Sequence, residues 1–181
     1  MSTYGLVVVA DLPDEAAGER MVEQIRAALN AGPGGGPGDD IDYEIDPTDS
    51  GVRVGVNIQG QVADRREAEF FTALPDGRAV ICEDGDEYGV VFQVWRLGPD
   101  GGQCLYRAYV HDPDSEPEPD TAARTTTGPQ AAAAATALYG VDAQPFLDLE
   151  ADPSPVSDEL GIIGTPFDPW MNHLNIDWPE P

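Results

Sequence analysis

Two neighbouring segments of the chain alternate apolar and polar residues, and this alternation restricts the fold more than any other feature of the sequence. Asp40–Asp46 alternates acids with isoleucine or tyrosine, and Val52–Gly60 alternates valine or isoleucine with polar residues and glycine. Successive side chains of a strand point to opposite faces of its sheet, so each segment predicts a strand with one buried and one solvated face. The Pro47–Gly51 turn that joins them predicts a β-hairpin.

An apolar run and an amphipathic segment precede this hairpin. Leu6–Ala10 is continuously apolar, which is typical of a strand covered on both faces. Apolar residues then recur at three- and four-residue steps up to Leu29, and they predict a helix capped by Asp11 with Pro13 in its first turn. The glycine-rich Gly34–Asp40 lacks the Lys-Ser/Thr of a phosphate-binding loop and predicts a linker.

A short helix and further strands follow the hairpin. Asp64 and Glu67 resemble a capping box, and Ala79–Cys82, Gly89–Leu97 and Gln103–Val110 predict strands that are separated by acidic or glycine-rich turns. The order βαββαβ predicts an α+β fold in which an antiparallel sheet has its helices packed on one face. We expect a ferredoxin-like start of this kind, extended by a β-hairpin, an alanine-rich helix and an irregular C-terminal tail.

The sequence also predicts how the chain divides. We expect residues 1–140 to form a single α+β domain, which ends with the alanine-rich helix Ala131–Tyr139 and contains an extended loop, rich in acids and proline, at 112–120. Residues 141–181 are broken by proline but rich in aromatic and aliphatic side chains. We therefore expect an irregular extension that docks on the domain, with docking on a partner as the alternative.

The charge of the chain excludes several classes of function. Thirty-four Asp and Glu oppose nine Arg, and the formal net charge is −25. Such a chain repels polyphosphate and anionic lipid, which argues against direct nucleic-acid binding and membrane binding. Cys82 and Cys104 lie in apolar runs, and the start of the chain lacks the pattern of a secretory signal. We therefore expect a cytoplasmic protein with reduced thiols.

The acidic stretch Glu83–Glu87 contains Gly85 and resembles a metal-binding loop at first sight. A calcium loop that starts at Asp84 would need ligands at its fifth and twelfth positions, and Tyr88 and Trp95 stand there instead. The stretch therefore predicts the tip of a hairpin whose acids are solvated.

Catalytic chemistry has little support in the sequence. We expect no catalytic residue, no bound metal and no cofactor, because the two cysteines lie among apolar residues and no hydrolase motif occurs. One alternative is a metal-assisted hydrolase in which His111, Asp112 and Asp114 supply ligands.

The excess of acid is the main indication of function. An acidic surface complements a basic protein and raises the rate and specificity of its association. The sequence favours a non-enzymatic binding module, most concretely an inhibitor or immunity protein that occludes a basic partner such as a toxin acting on nucleic acid or nucleotides. An acidic domain that is merely well solvated, with no electrostatic partner, is a further alternative. The candidate partner-binding residues lie in the two acidic segments and in the tail: Asp40, Asp42, Tyr43, Glu44, Glu83, Asp84, Asp86, Glu87, Tyr88 and Trp170.

Overall fold

The protein has the predicted α+β fold, and the computed structural model describes residues 5–31, 41–60, 67–85 and 88–179 of it. Six strands form an antiparallel sheet in the order β2-β3-β1-β4-β5-β6. The strands are β1 (Gly5–Leu12), β2 (Ile41–Thr48), β3 (Gly51–Gln59), β4 (Gly77–Asp84), β5 (Val90–Leu97) and β6 (Gln103–Val110). Strand β1 lies between β3 and β4, and residues 6–10 of it are all buried, as its continuous apolar run predicts for a strand covered on both faces.

The first two helices alternate with strands, and the other helices follow the last strand. The order of elements from β1 to β4 is βαββαβ, as the sequence predicts. No helix in the described ranges is both long enough and apolar enough to cross a membrane. The helices are α1 (Glu15–Asn30), α2 (Glu67–Phe70), α3 (Pro119–Ala122), α4 (Pro129–Ala137), α5 (Gln144–Ala151), α6 (Ser154–Ser157) and α7 (Asp168–His173).

The chain forms two compact units. The N-terminal unit contains the described parts of Gly5–Ile81 together with Trp95–Gln103 and Pro179. The C-terminal unit contains the described parts of Cys82–Val94 together with Cys104–Trp178.

In the N-terminal unit, helix α1 packs against the β2–β3 hairpin. The hairpin has the predicted antiparallel pairing, with Ile45 opposite Val54 and Tyr43 opposite Val56. The side chains of Val54 and Val56 are fully buried. A Cβ atom on Gly18 of α1 would lie 2.9 Å from Val54 and 3.3 Å from Ile45, so this glycine permits the close approach of helix and sheet.

The start of α1 differs from the prediction. Its N-cap is Asp14, whose carboxylate accepts a hydrogen bond of 2.8 Å from the backbone N–H of Ala17. Asp11, the predicted cap, lies inside β1 instead, because that strand continues to Leu12. Sheet pairing therefore extends the strand past the acid that the sequence pattern assigns to the helix.

In the C-terminal unit, the tail is more regular than its prolines predict. Pro145, Pro155 and Pro169 lie in the first turns of α5, α6 and α7. Proline is well tolerated there, because the first N–H groups of a helix have no partner within the helix. The tail also contributes to the core, since Phe146 and Trp170 are buried.

Candidate functional site

Strand β2 displays acids along an edge of the sheet. It is the terminal strand in the sheet order, and the side chains of Asp42 and Asp46 are exposed while that of Glu44 is half-buried. Asp49 follows in the turn and is also exposed. Together with Tyr43, these acids form the acidic edge, a name used here for Asp42, Tyr43, Glu44, Asp46 and Asp49.

Tyr43 is the exposed aromatic residue of the acidic edge. Its side chain is 47% exposed, although the preceding Ile41 is buried. The guanidinium carbon of Arg26 lies 5.3 Å from the centroid of the Tyr43 ring, which is a cation–π distance. Arg26 in turn pairs with Glu23 at 2.7 Å between Nη1 and Oε1. Helix α1 therefore orients the tyrosine ring from one side without burying it.

The acids of β2 lie on the opposite face of the sheet from Tyr43. Because side chains alternate along a strand, Asp42, Glu44 and Asp46 share a face. Glu44 is paired with Gly55 of β3, and a Cβ atom on Gly55 would lie only 2.7 Å from Pro179. The glycine therefore allows the end of the chain to rest on this face beside Glu44.

Asp11 of β1 has two arginine partners, which the sequence pattern did not indicate. Asp11 accepts hydrogen bonds from Arg53 at 2.8 and 3.1 Å, and from Arg78 at 2.7 Å. Burial raises the pKa of Asp11, but the hydrogen bonds and charges of both arginines lower it by more, so the pKa lies below its ordinary value. The register could have indicated half of this cluster, because Asp11 is paired with Arg53 across β1 and β3.

The second predicted acidic segment is less open than the first. Asp84 is buried at 8% exposure and Glu83 is half-buried, whereas Tyr88 is 61% exposed. Gly85 N–H donates to the Gly89 carbonyl at 2.9 Å, and Tyr88 N–H donates to the Gly85 carbonyl at 3.1 Å. Asp40, Asp86 and Glu87, the remaining predicted acids, lie outside the described residues. Of the predicted acids that lie in the described residues, the exposed one is thus Asp42 of the acidic edge.

Trp170, predicted as an aromatic contact for a partner, is a core residue. It is 1% exposed, and its ring stacks on Phe92 with 4.9 Å between centroids and 2° between planes. The tail therefore uses this tryptophan to complete its own unit, and the ring offers no exposed surface.

The predicted metal ligands are arranged as a turn. The Asp112 carboxylate accepts a hydrogen bond of 2.8 Å from the Asp114 backbone N–H, and His111 Nδ1 lies 2.8 Å from the Asp112 carbonyl oxygen. Within the ranges that the structure describes, no three His, Cys, Asp or Glu side chains are placed to hold a metal ion. The three residues thus form local structure of the kind common at Asx turns.

Both cysteines are free thiols, as expected. Burial raises the pKa of Cys82 well above its ordinary value, and its Sγ lies 3.5 Å from Met171 Sδ. Cys104 is half-buried, and its Sγ lies 3.4 Å from the Tyr106 carbonyl oxygen. A buried neutral thiol is a poor nucleophile, so Cys82 is a packing residue.

A cleft of about 420 Å³ in the C-terminal unit is a feature that the sequence did not predict. Tyr106 of β6, Glu150 of α5 and Trp170 of α7 help to line it. Burial, and then the charge and hydrogen bonding of Glu150, raise the pKa of the Tyr106 hydroxyl far above its ordinary value. The residues come from distant parts of the chain, so no local pattern could have grouped them.

Comparisons with known proteins do not assign a function to the chain. No protein-family model matches the chain, and neither a curated protein nor a solved structure matches it.

Proposed function

We propose that the protein is an acidic, non-enzymatic binding module that docks on a basic protein through its acidic edge. The observation that carries the proposal is that one terminal strand exposes the ring of Tyr43 on one face and the carboxylates of Asp42 and Asp46 on the other. Tyrosine is a frequent anchor of protein interfaces, because its ring buries a large area while its hydroxyl keeps a polar contact. The carboxylates of the same strand supply attraction and orientation for a cationic partner that reaches around the edge.

The mechanism we propose is occlusion of a basic active site. Enzymes that act on nucleic acids or nucleotides bind phosphates with Lys and Arg, so their clefts are positively charged. An acidic surface complements such a cleft, and a chain with a formal net charge of −25 would approach it rapidly. The most concrete form of the proposal is therefore an inhibitor or immunity protein that blocks a toxin of this kind.

The local structure of the acidic edge is compatible with docking by a folded partner. Pro47 lies within β2, and proline is tolerated on a terminal strand because one side of that strand is not paired. Proline lacks a backbone N–H and so hinders a further strand from adding there. Contact through the side chains of Tyr43 and the acids is thus favoured over extension of the sheet.

The experiment that tests the proposal is retrieval of a partner at low and high salt. The purified protein, immobilised, is exposed to a lysate of the cells that encode it, and bound proteins are identified at about 0.05 and 0.5 M salt. We expect a basic protein whose binding weakens strongly at the higher salt, because the attraction between charged surfaces is screened. The proposal fails if no basic protein binds, or if binding is indifferent to salt.

A solvated acidic domain without an electrostatic partner is the alternative that the charge also allows. A protein adapted to high salt would lose stability on transfer to dilute buffer, because its carboxylates then repel each other without screening. We expect the folded state to persist at about 0.05 M salt, with the unfolding transition measured by circular dichroism. Unfolding in dilute buffer alone would support the alternative.

A further inference from the structure

The lining of the cleft in the C-terminal unit contains one acidic side chain. Among the residues that line it, Glu150 is the one carboxylate, and neither Arg nor Lys is present. Both oxygens of the Glu150 carboxylate accept from the Gly128 backbone N–H, at 3.1 and 3.0 Å. This contact fixes the carboxylate in place. No arginine of the cleft lining compensates its charge.

Aromatic rings form other parts of the lining. Tyr106, Tyr109, His111 and Trp170 all contribute to it. Tyr106 and Trp170 are buried at 0% and 1% exposure, so they are fixed by packing rather than free to rotate. Tyr109 and His111 are half-buried, so theirs are the rings that the cleft exposes, and an aromatic face is favourable for a positive charge.

Glu150 also has a hydroxyl neighbour. The Tyr106 hydroxyl is buried, and both the Glu150 carboxylate and the Trp170 indole act on it as hydrogen-bonding groups. Glu150 is therefore bordered by neutral donors, and no basic side chain of the cleft lining balances its charge.

We propose that this cleft binds a small organic cation, with its ammonium or guanidinium group at Glu150 and its apolar part against the half-buried side chains of Tyr109 and Leu149. The volume of about 420 Å³ lies within the range of small-molecule sites. Anions are disfavoured, because the lining holds a carboxylate and no Arg or Lys. The proposal does not rest on the acidic edge, which belongs to the other unit.

The test is a calorimetric titration of the full chain with three probes of similar shape. The probes are phenethylammonium, the neutral 2-phenylethanol and the anionic 3-phenylpropionate, at about 0.15 M salt to screen diffuse attraction. We expect saturable binding of the ammonium, at least about tenfold weaker binding of the alcohol, and no binding of the carboxylate. Failure of the ammonium to bind, or equal binding of ammonium and alcohol, would overturn the proposal.

Matched variants assign the binding to Glu150. Glu150→Gln keeps an oxygen that accepts from Gly128 and removes the charge, so we expect at least about tenfold weaker binding of the ammonium. Glu116→Gln removes the same charge from an exposed side chain outside the cleft lining, and we expect unchanged affinity. Equal loss in both variants would show diffuse attraction and overturn the assignment. Circular dichroism of each variant checks its fold, and Glu150→Asp keeps the charge if Glu150→Gln does not fold.

A final arm separates a free cation from the side chain of a protein. A short peptide with a single central arginine, blocked at both ends, is titrated under the same conditions. We expect the free ammonium to bind at least as well as the peptide. Binding of the peptide without binding of the free ammonium would contradict a small-molecule site.

Discussion

The guanidinium group of Arg26 lies over the ring of Tyr43, with 5.3 Å between its central carbon and the ring centroid. The contact joins helix α1 to strand β2 at the acidic edge. Arg26 also pairs with the exposed Glu23, at 2.7 Å between Nη1 and Oε1. The tyrosine ring is thus held in position by a residue of the neighbouring helix.

Removal of this arginine should change stability little. We expect Arg26→Gln to lower the free energy of unfolding by no more than about 1 kcal/mol, because exposed cation–π contacts and exposed ion pairs are weak. Urea denaturation measures the difference, with Arg20→Gln on the exposed side of α1 as the control. A loss of more than about 2 kcal/mol would show that Arg26 is a structural residue rather than an orienting one.

Asp11 should be far more important to stability than a surface acid. We expect Asp11→Asn to cost about 1–3 kcal/mol, because the hydrogen bonds from Arg53 and Arg78 lose their charged acceptor. Asp49→Asn, at an exposed position, should change the free energy of unfolding by less than about 0.5 kcal/mol. Equal effects of the two substitutions would contradict the role given to Asp11.

The contribution of Asp11 should also depend on pH. Its pKa is lower in the folded than in the unfolded protein, so its charge stabilises the fold above the ordinary pKa of 3.8. This stabilisation is lost as the pH falls through the lowered pKa. The difference in unfolding free energy between the wild type and Asp11→Asn should therefore be constant near neutral pH and shrink below about pH 4. A difference that grows in acid would have the wrong sign.

Two glycines provide a matched test of backbone packing. Gly89 and Gly101 share a φ of +109°, but a Cβ atom on Gly89 would lie 2.4 Å from the Val110 carbonyl oxygen, whereas nothing lies within 4 Å at Gly101. We expect Gly101→Ala to cost about 1 kcal/mol for its backbone strain, and Gly89→Ala at least about 2 kcal/mol more. Chemical denaturation gives both values, and equal costs would mean that the close contact at Gly89 relaxes freely.

The tail should behave as part of the core. We expect Trp170→Leu to cost about 3 kcal/mol, since it removes a buried ring stacked on Phe92. Ile163→Ser in the same tail should cost less than about 0.5 kcal/mol, because Ile163 is 67% exposed. Thermal unfolding of both variants checks this contrast. A stable Trp170→Leu protein would show that the tail is dispensable.

The order of strands and helices could be predicted because it depends on local patterns. The alternation from Val52 to Ile58 gave β3 and its buried face, and the short apolar run gave the central strand β1. The start of α1 could not be fixed, since Asp11 and Asp14 are both good caps and only the length of β1 decides between them. Local propensity is outweighed there by pairing within the sheet.

The exposure of individual side chains could not be predicted, because it depends on contacts between distant segments. The pattern around Asp84 indicates a turn, but the burial of its side chain depends on what surrounds that turn in the folded chain. Trp170 likewise lies in the first turn of α7, and the burial of its ring depends on Phe92, which is distant in the chain. The cleft near Glu150 combines residues from strand β6 and helices α5, α6 and α7, and only the folded chain brings them together.

If the acidic edge binds a basic protein, neutralising its carboxylates weakens that binding more than neutralising other exposed acids does. The triple variant Asp42→Asn, Glu44→Gln, Asp46→Asn neutralises the edge, and the control Asp100→Asn, Glu116→Gln, Asp158→Asn removes as many charges from exposed positions elsewhere. The measurement is the affinity of each variant for the retrieved basic partner at about 0.15 M salt. We predict at least about a tenfold loss for the edge variant and a loss of less than about threefold for the control. Equal affinities of the two variants would contradict the account.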